Sequence, residues 1–253
     1  MHKIAVANKL PEISLLFWIM KIAATTLGET GGDLLSMTMN IGYGASSLIL
    51  ISFFIVSLII QLSLRSYQPV IYWLVILTTS TAGTTMSDYM DRTLGLGYMT
   101  GSLILISLLI TMIIIWRLTE KSLSVSNIRS FRAELFYWIT ILFSNTLGTA
   151  LGDFLADSSG LGFSGGALLV GSLILIIIFA YYFTSISHVL LFWLAFVLTR
   201  PFGATFGDFL TKPADKGGLN FGTIGSSIVL FAILAGLLIY SVKSERKKQN
   251  ALD

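Results

Sequence analysis

The chain has no cysteine among its 253 residues, only four prolines, and a charged fraction of 11%. Without thiols there is neither a disulfide framework nor a thiolate metal site. Soluble domains carry about 25% charged residues, so a chain with less than half of that and 55% hydrophobic residues is built for a lipid bilayer. The net charge of +3 reflects basic loops and a basic tail, and no nucleic-acid module is present. Also missing are a Ser/His pair, a His-rich metal motif, a phosphotransferase signature and a Gly-x-Gly-Asp protease motif, so an enzyme is not expected.

What is there is a repeat. Gly28-Glu29-Thr30-Gly31-Gly32-Asp33 returns as Gly83-Thr84-Thr85-Met86-Ser87-Asp88, Gly148-Thr149-Ala150-Leu151-Gly152-Asp153 and Gly203-Ala204-Thr205-Phe206-Gly207-Asp208. A Trp precedes each leading Gly by ten positions: Trp18, Trp73, Trp138 and Trp193. A second signature follows, Gly42-Tyr43, Gly97-Tyr98 and Gly162-Phe163, with a later echo at Phe221-Gly222 after an insertion containing Pro213. Self-similarity of this kind marks a repeat architecture.

Each repeat holds two apolar stretches near the ~20 residues a bilayer requires. The expected spans are 12–33, 44–64, 69–88, 97–116, 135–154, 164–184, 189–209 and 222–242. The fold expected is an all-α membrane protein of eight transmembrane helices. They form four tandem two-helix repeats, 12–66, 67–117, 133–186 and 187–242, with a cytoplasmic linker at 118–132 and a basic tail at 243–253. An even number of spans per repeat keeps all copies in one orientation, which implies pseudo-symmetry about the membrane normal. The run after Met1–Pro11 begins like a signal peptide. It also carries the first repeat's Trp and Asp, so a retained span is expected.

Basic residues set the orientation. Lys3, Lys9, Arg65, Arg117, Lys121, Arg129, Arg132, Lys243, Arg246, Lys247 and Lys248 fall on one side, against Arg92, Lys212 and Lys216 on the other, with Arg200 near a helix end. Both termini are then cytoplasmic and the repeat Asp residues face outward. Fifteen residues separate Trp from Asp, about 22 Å of helix, which puts Trp in the inner interfacial belt.

Polar residues recur in register before each Asp. Three before lie Thr30, Thr85, Ala150 and Thr205; four before lie Glu29, Thr84, Thr149 and Ala204. Seven before lie Thr26, Thr81, Thr146 and Pro201; eight before lie Thr25, Ser80, Asn145 and Arg200. These positions span an arc of about 140° on a helix. Gly28/Gly32, Gly83, Gly148/Gly152 and Gly203/Gly207 flank it as small-residue strips for close helix packing. The even helices are Leu, Ile, Val and Phe without charge, which suits lipid contact around an inner ring of odd helices.

Acids within a span usually mark an ion path or a buried partner. The candidate cation and proton ligands are Asp33, Asp88, Asp153, Asp208 and Glu29, with Thr26, Thr30, Thr81, Thr85, Asn145, Thr146 and Thr205 lining the path. Oxygen ligands without Cys suit Mg²⁺, Ca²⁺ or Mn²⁺ as substrate, with no resident cofactor. Arg200 is the candidate counter-ion for an Asp, either displaced by the cation or held in a static pair with Asp208. Lys21, in mid-span, calls for a partner such as Asn145 or a carbonyl. The plainer alternative is that each Asp caps the loop after its helix.

The Trp…Gly…Asp pattern, from Trp18 to about Leu230, resembles a bacterial family of short-repeat integral membrane proteins of unknown function. The resemblance implies a bacterial inner-membrane location and no particular activity. Glu29-Thr30-Gly31-Gly32-Asp33 is also loosely similar to the Glu-x-Gly-Asp signature of manganese- and calcium-proton exchangers. It has one residue too many and no basic residue after Asp33. The function expected is a proton-coupled secondary transporter or exporter of a divalent cation, with lipid, cation and protons as its partners. A pseudo-tetrameric cation channel, suggested by Gly42-Tyr43-Gly44, and a non-transporting structural protein are the alternatives. A homo-oligomer stays open.

Overall fold

The computed structural model describes residues 9–125, 128 and 130–250, the last five by backbone only. His2, Lys3 and Arg129, and the side chains of Arg246, Lys247 and Lys248, lie outside the described residues.

Eight long helices follow in order: α1 (Leu15–Asp33), α2 (Tyr43–Ser63), α3 (Pro69–Asp88), α4 (Tyr98–Glu120), α5 (Phe131–Asp153), α6 (Gly162–Phe183), α7 (His188–Thr211) and α8 (Thr223–Asn250). No strand is present among the described residues. Their starts have local causes. Ser14 and Ser130 accept hydrogen bonds from the amides of Phe17 and Ala133 at 3.3 and 3.0 Å, and Pro69 opens α3, where its missing N–H costs nothing.

Six of the eight, α2 and α4 to α8, are long and apolar enough to cross a membrane. α1 and α3 are not among them. Lys21, Glu29 and Asp33 on α1, and the hydroxyl run from Thr79 to Thr85 on α3, dilute the apolar surface that hydropathy registers. The even helices have mean hydropathies of 2.2–2.4 with only 22–28% of their residues buried, whereas α5 and α7 are 67% and 56% buried. The odd helices are therefore the interior and the even ones the skin.

The odd helices close into a ring: α1 packs on α3, α3 on α5, α5 on α7, and α7 on α1. Each even helix lies on the odd helix of the next repeat, α2 on α3, α4 on α5, α6 on α7 and α8 on α1. The glycine five positions before each Asp makes the ring contacts. A methyl on Gly28 would sit 2.2 Å from the Ser80 hydroxyl, and one on Gly83 2.9 Å from the Asn145 carbonyl carbon. On Gly148 it would meet Arg200 Cγ at 2.2 Å, and on Gly203 the Thr25 hydroxyl at 2.6 Å. The residue opposite is in each case the one eight positions before the next repeat's Asp. The second glycine behaves likewise, Gly32 against Thr84, Gly152 against Ala204 and Gly207 against Glu29.

After Asp33, Asp88 and Asp153 the chain makes one wide π-type turn, closed by Met39 N to Leu34 O at 2.9 Å and its counterparts. The connector then needs two residues with left-handed backbone. They are Asn40 and Gly42, Gly95 and Gly97, Gly160 and Gly162, and Asn220 and Gly222, with φ between +54° and +81°. Gly and Asn tolerate that region, which is why the second signature begins with Gly.

The tryptophans pack inside the bundle and are not displayed on its outer surface. Trp73, Trp138 and Trp193 are buried and Trp18 half-buried, in an aromatic cluster with Phe17, Tyr72, Tyr137 and Phe196. Within it the Tyr72 and Tyr137 hydroxyls lie 2.6 Å apart. The expectation of an aromatic belt fails because the ring brings four equivalent positions together, where rings bury more area against one another than against headgroups.

Gly83→Ala is expected to lower stability by about 1–3 kcal/mol, because backbone rather than a flexible side chain stands in the way. Gly236→Ala, on an open face of α8, is expected to be neutral or slightly stabilising. Thermal unfolding in detergent checks both.

Candidate functional site

Four residues before each Asp, the odd helices present Glu29, Thr84, Thr149 and Ala204 towards one another, and one turn earlier Arg200 reaches the same point from α7. Arg200 is fully buried. Its guanidinium donates to Glu29 Oε2 at 2.9 Å, to Thr149 Oγ1 at 2.7 Å, to Thr84 Oγ1, and to the Ser80 carbonyl at 3.3 Å. The Thr84 and Thr149 hydroxyls each approach the same Glu29 oxygen at 3.3 Å. One ion pair thus ties residues of all four ring helices together. Arg200 is paired with Glu29, not with Asp208 or another Asp. The reach of the arginine inward, across the helix neighbouring its own, takes it away from the acid two turns along.

At the Asp end, two basic side chains sit between acids of neighbouring repeats. Arg92 contacts Asp88 Oδ1 through Nε at 3.1 Å and Asp153 Oδ2 through Nη2 at 2.9 Å. Lys212 contacts Asp208 Oδ1 at 3.1 Å and Asp33 Oδ2 at 2.6 Å. Both stand four positions after their own Asp; the first and third repeats have Met37 and Asp157 there. Burial works against the charge of each base, but Asp88 and Asp153 beside Arg92, and Asp208 and Asp33 beside Lys212, outweigh it and hold both pKa values above the ordinary range. Tyr43 and Tyr98 flank Arg92, their ring centroids 5.7 and 5.6 Å from its guanidinium carbon.

One carboxylate oxygen from each of Glu29, Asp33 and Asp208 falls within 4.8 Å of the others. A calcium-type cation sits about 2.3–2.6 Å from its ligands, so this spacing lets one ion reach all three. Asp88 and Asp153 belong to the opposite clamp. Counting the ring, five acids (Glu29 and the four Asp) face three bases (Arg92, Arg200 and Lys212), an excess of two carboxylates. Lys21 reduces it to one when protonated. It is fully buried 4.2 Å over the Phe196 ring, without a hydrogen-bond partner, and not bonded to Asn145 or a carbonyl.

The threonines divide. Thr26, Thr81, Thr146 and Thr205 give their hydroxyls to carbonyls one turn back in their own helices, at 2.9–3.2 Å, and Thr85 does so at 3.3 Å. Thr30 meets Ser227 of α8 at 2.9 Å, and Thr205 packs on Gly166 of α6. Thr30 and Thr205 thus turn towards the even helices, while the Thr81 methyl lies against Gly31 of α1. The edge of the arc that faces the axis is instead the one with Thr84, Thr149 and Arg200. Asn145 lies in the ring, donating to Thr79 at 2.8 Å. Gly42-Tyr43-Gly44 starts α2 outside the ring.

Sequence reasoning missed Arg92 and Lys212 as site residues. The available signal was their shared spacing, four positions after an Asp in alternate repeats.

Replacing Arg200 with Met leaves Glu29 buried and unpaired, an effect of about 3–5 kcal/mol. The double variant Arg200→Met with Glu29→Gln is expected to recover part of it. A double-mutant cycle on unfolding temperatures measures the difference.

A family model described as "Repeat of Unknown Function (DUF347)" matches residues 16–67, 71–122, 136–187 and 191–247. The four matches cover most of the sequence, and the chain belongs to that family. No curated protein and no solved structure matches it.

Proposed function

We propose that this member of the four-repeat family is a secondary carrier of a hard divalent cation, of the Mg²⁺, Ca²⁺ or Mn²⁺ class, exchanged against protons. In this reading all eight helices span a bacterial inner membrane, pseudo-symmetric about the membrane normal. Both termini are cytoplasmic and the Asp end faces outward. α1 and α3 cross without lipid-grade hydropathy because the other helices screen their polar faces.

The observation that carries the reading is the excess of buried carboxylate over base at the Asp end, concentrated where Glu29, Asp33 and Asp208 converge. Uncompensated carboxylates in low dielectric take up either protons or a cation. Two species competing for one set of oxygens is the chemistry of an exchanger. Lys212 stands beside two of the three acids, so an arriving cation displaces its ammonium from Asp33 and Asp208.

The axis is closed below this point, first by Arg200 and Glu29 and then by the aromatic cluster. Passage therefore requires rearrangement, which favours a carrier over a continuously open channel. The non-transporting reading has one observation on its side: each of the five acids has a basic neighbour.

Purified protein in liposomes with a pH dye inside, challenged with Mn²⁺, Ca²⁺ and Mg²⁺ in turn, is expected to move one of them against protons. Asp33→Asn is expected to lower that flux at least about tenfold, the usual loss when a metal site is disturbed. Folded wild type that moves none of these ions, or undiminished flux in the variant, rejects the proposal.

A further inference from the structure

Four long-range ion pairs in this molecule have one geometric property in common. Lys9–Glu134 at 2.7 Å, Arg92–Asp153 at 2.9 Å, Arg200–Glu29 at 2.9 Å and Lys212–Asp33 at 2.6 Å all cross the same boundary. On one side lie α8, α1, α2 and α3; on the other lie α4, α5, α6 and α7. Within the first group α8 packs on α1, α1 on α3 and α2 on α3; within the second α4 packs on α5, α5 on α7 and α6 on α7. The two groups meet mainly along α3/α5 and α7/α1. Among the described residues no salt bridge joins α1 to α3 or α5 to α7.

We infer that the ring is two four-helix bodies joined along two charge-locked seams, and that the seams are where it opens. All four ring interfaces share the glycine contacts, so close packing does not distinguish them. Charge does. A ligand biases a conformational equilibrium only through contacts that differ between the states. At α1/α3 and α5/α7 the charged groups meet only hydroxyls, Thr84 on Glu29 and Thr149 on Arg200, so neutralising a carboxylate leaves no opposite charge stranded there. At the seams, by contrast, neutralising one partner strands the other, which is a large effect for a buried pair.

The locks also occur at different depths. Arg92 and Lys212 sit at the Asp end, each in a connector that carries the chain from one body to the other: Arg92 from α3 to α4, Lys212 from α7 to α8. Arg200–Glu29 lies further in. At the Trp end Lys9 and Gln61 both bind Glu134, the latter at 3.1 Å. Releasing the Asp-end locks while Glu134 holds makes the opening one-sided. This inference goes beyond the transport reading, since the seams are present whatever is carried.

The chain has no cysteine, so spin labels attach only to introduced ones. Ala45, Met99, Ser164 and Ile224 are exposed near the starts of α2, α4, α6 and α8. The pairs 45–99 and 164–224 cross a seam, whereas 45–224 and 99–164 stay within a body. Pulsed electron–electron distance measurements on the full chain are expected to show the 45–99 distance lengthening in Arg92→Gln and the 164–224 distance in Lys212→Gln. The within-body distances are expected to hold. If either glutamine variant does not fold, Asp153→Asn for the first pair or Asp33→Asn for the second, each of which neutralises the acid across the seam, is read in the same way. Distances that change equally within bodies, or that do not change at all in a folded variant, overturn the inference. Seam opening in a protein that moves no cation would uphold it while rejecting the carrier.

Discussion

The contact on which the molecule depends is the approach of one odd helix to the next through a glycine. At Gly28, Gly83, Gly148 and Gly203 the space a side chain would need is already taken by Ser80, Asn145, Arg200 and Thr25. In lipid no hydrophobic effect drives helices together, so such close packing, with the polar contacts it permits, supplies the association. Repeated four times it bends a row of helices into a ring, with first and last repeats as neighbours. The strip of each helix next to its glycines is thereby turned towards the axis. Residues that would be costly against acyl chains, Glu29 and Arg200 above all, find each other there.

From that point charge governs. The interior is polar from the Asp residues down to Arg200 and mostly apolar below it, where Ile76, Ile141 and Phe196, with Lys21 over the Phe196 ring, lead to the clustered tyrosines and tryptophans. A buried polar layer of this kind has to balance its own charge, and it does so with bases on a simple alternation. The second and fourth repeats supply Arg92 and Lys212; the first and third supply the acids they reach across to. Fourfold ancestry has become a twofold arrangement. The same alternation defines the two bodies, and it leaves the carboxylate excess nearest α1 and α7, where Glu29 adds to Asp33 and Asp208.

Much of the fold was legible in the sequence, because period, helix length and small-residue spacing are local properties. The expected spans at 44–64 and 69–88 differ from α2 and α3 by at most one residue at either end. The glycine strips were legible for the same reason. The direction of the polar arc was not. A helical wheel shows that hydroxyls share a face, but which edge of it turns inward depends on how the ring is wound, so Thr26 and Thr81 were grouped with Thr84 although only Thr84 meets Glu29 and Arg200. Partners separated by a whole repeat were also beyond local reasoning. Arg200 pairs across 171 residues and Lys212 across 179. The tryptophans misled because amphipathic rings serve at an interface and in a core alike.

The central claim is that the repeats close on themselves, and it has a direct test. Thr38 of the first repeat and Thr223 at the start of α8 hold their hydroxyls 2.6 Å apart and exposed. Thr38→Cys combined with Thr223→Cys, in a chain with no other thiol, is predicted to form an intramolecular disulfide under mild oxidation, seen as a shift in gel mobility that reductant reverses. Thr38→Cys combined with Leu161→Cys, on opposite repeats, is predicted to form none. Failure of the first pair to cross-link in folded protein, or cross-linking only between separate chains, would contradict the closed ring and everything derived from it.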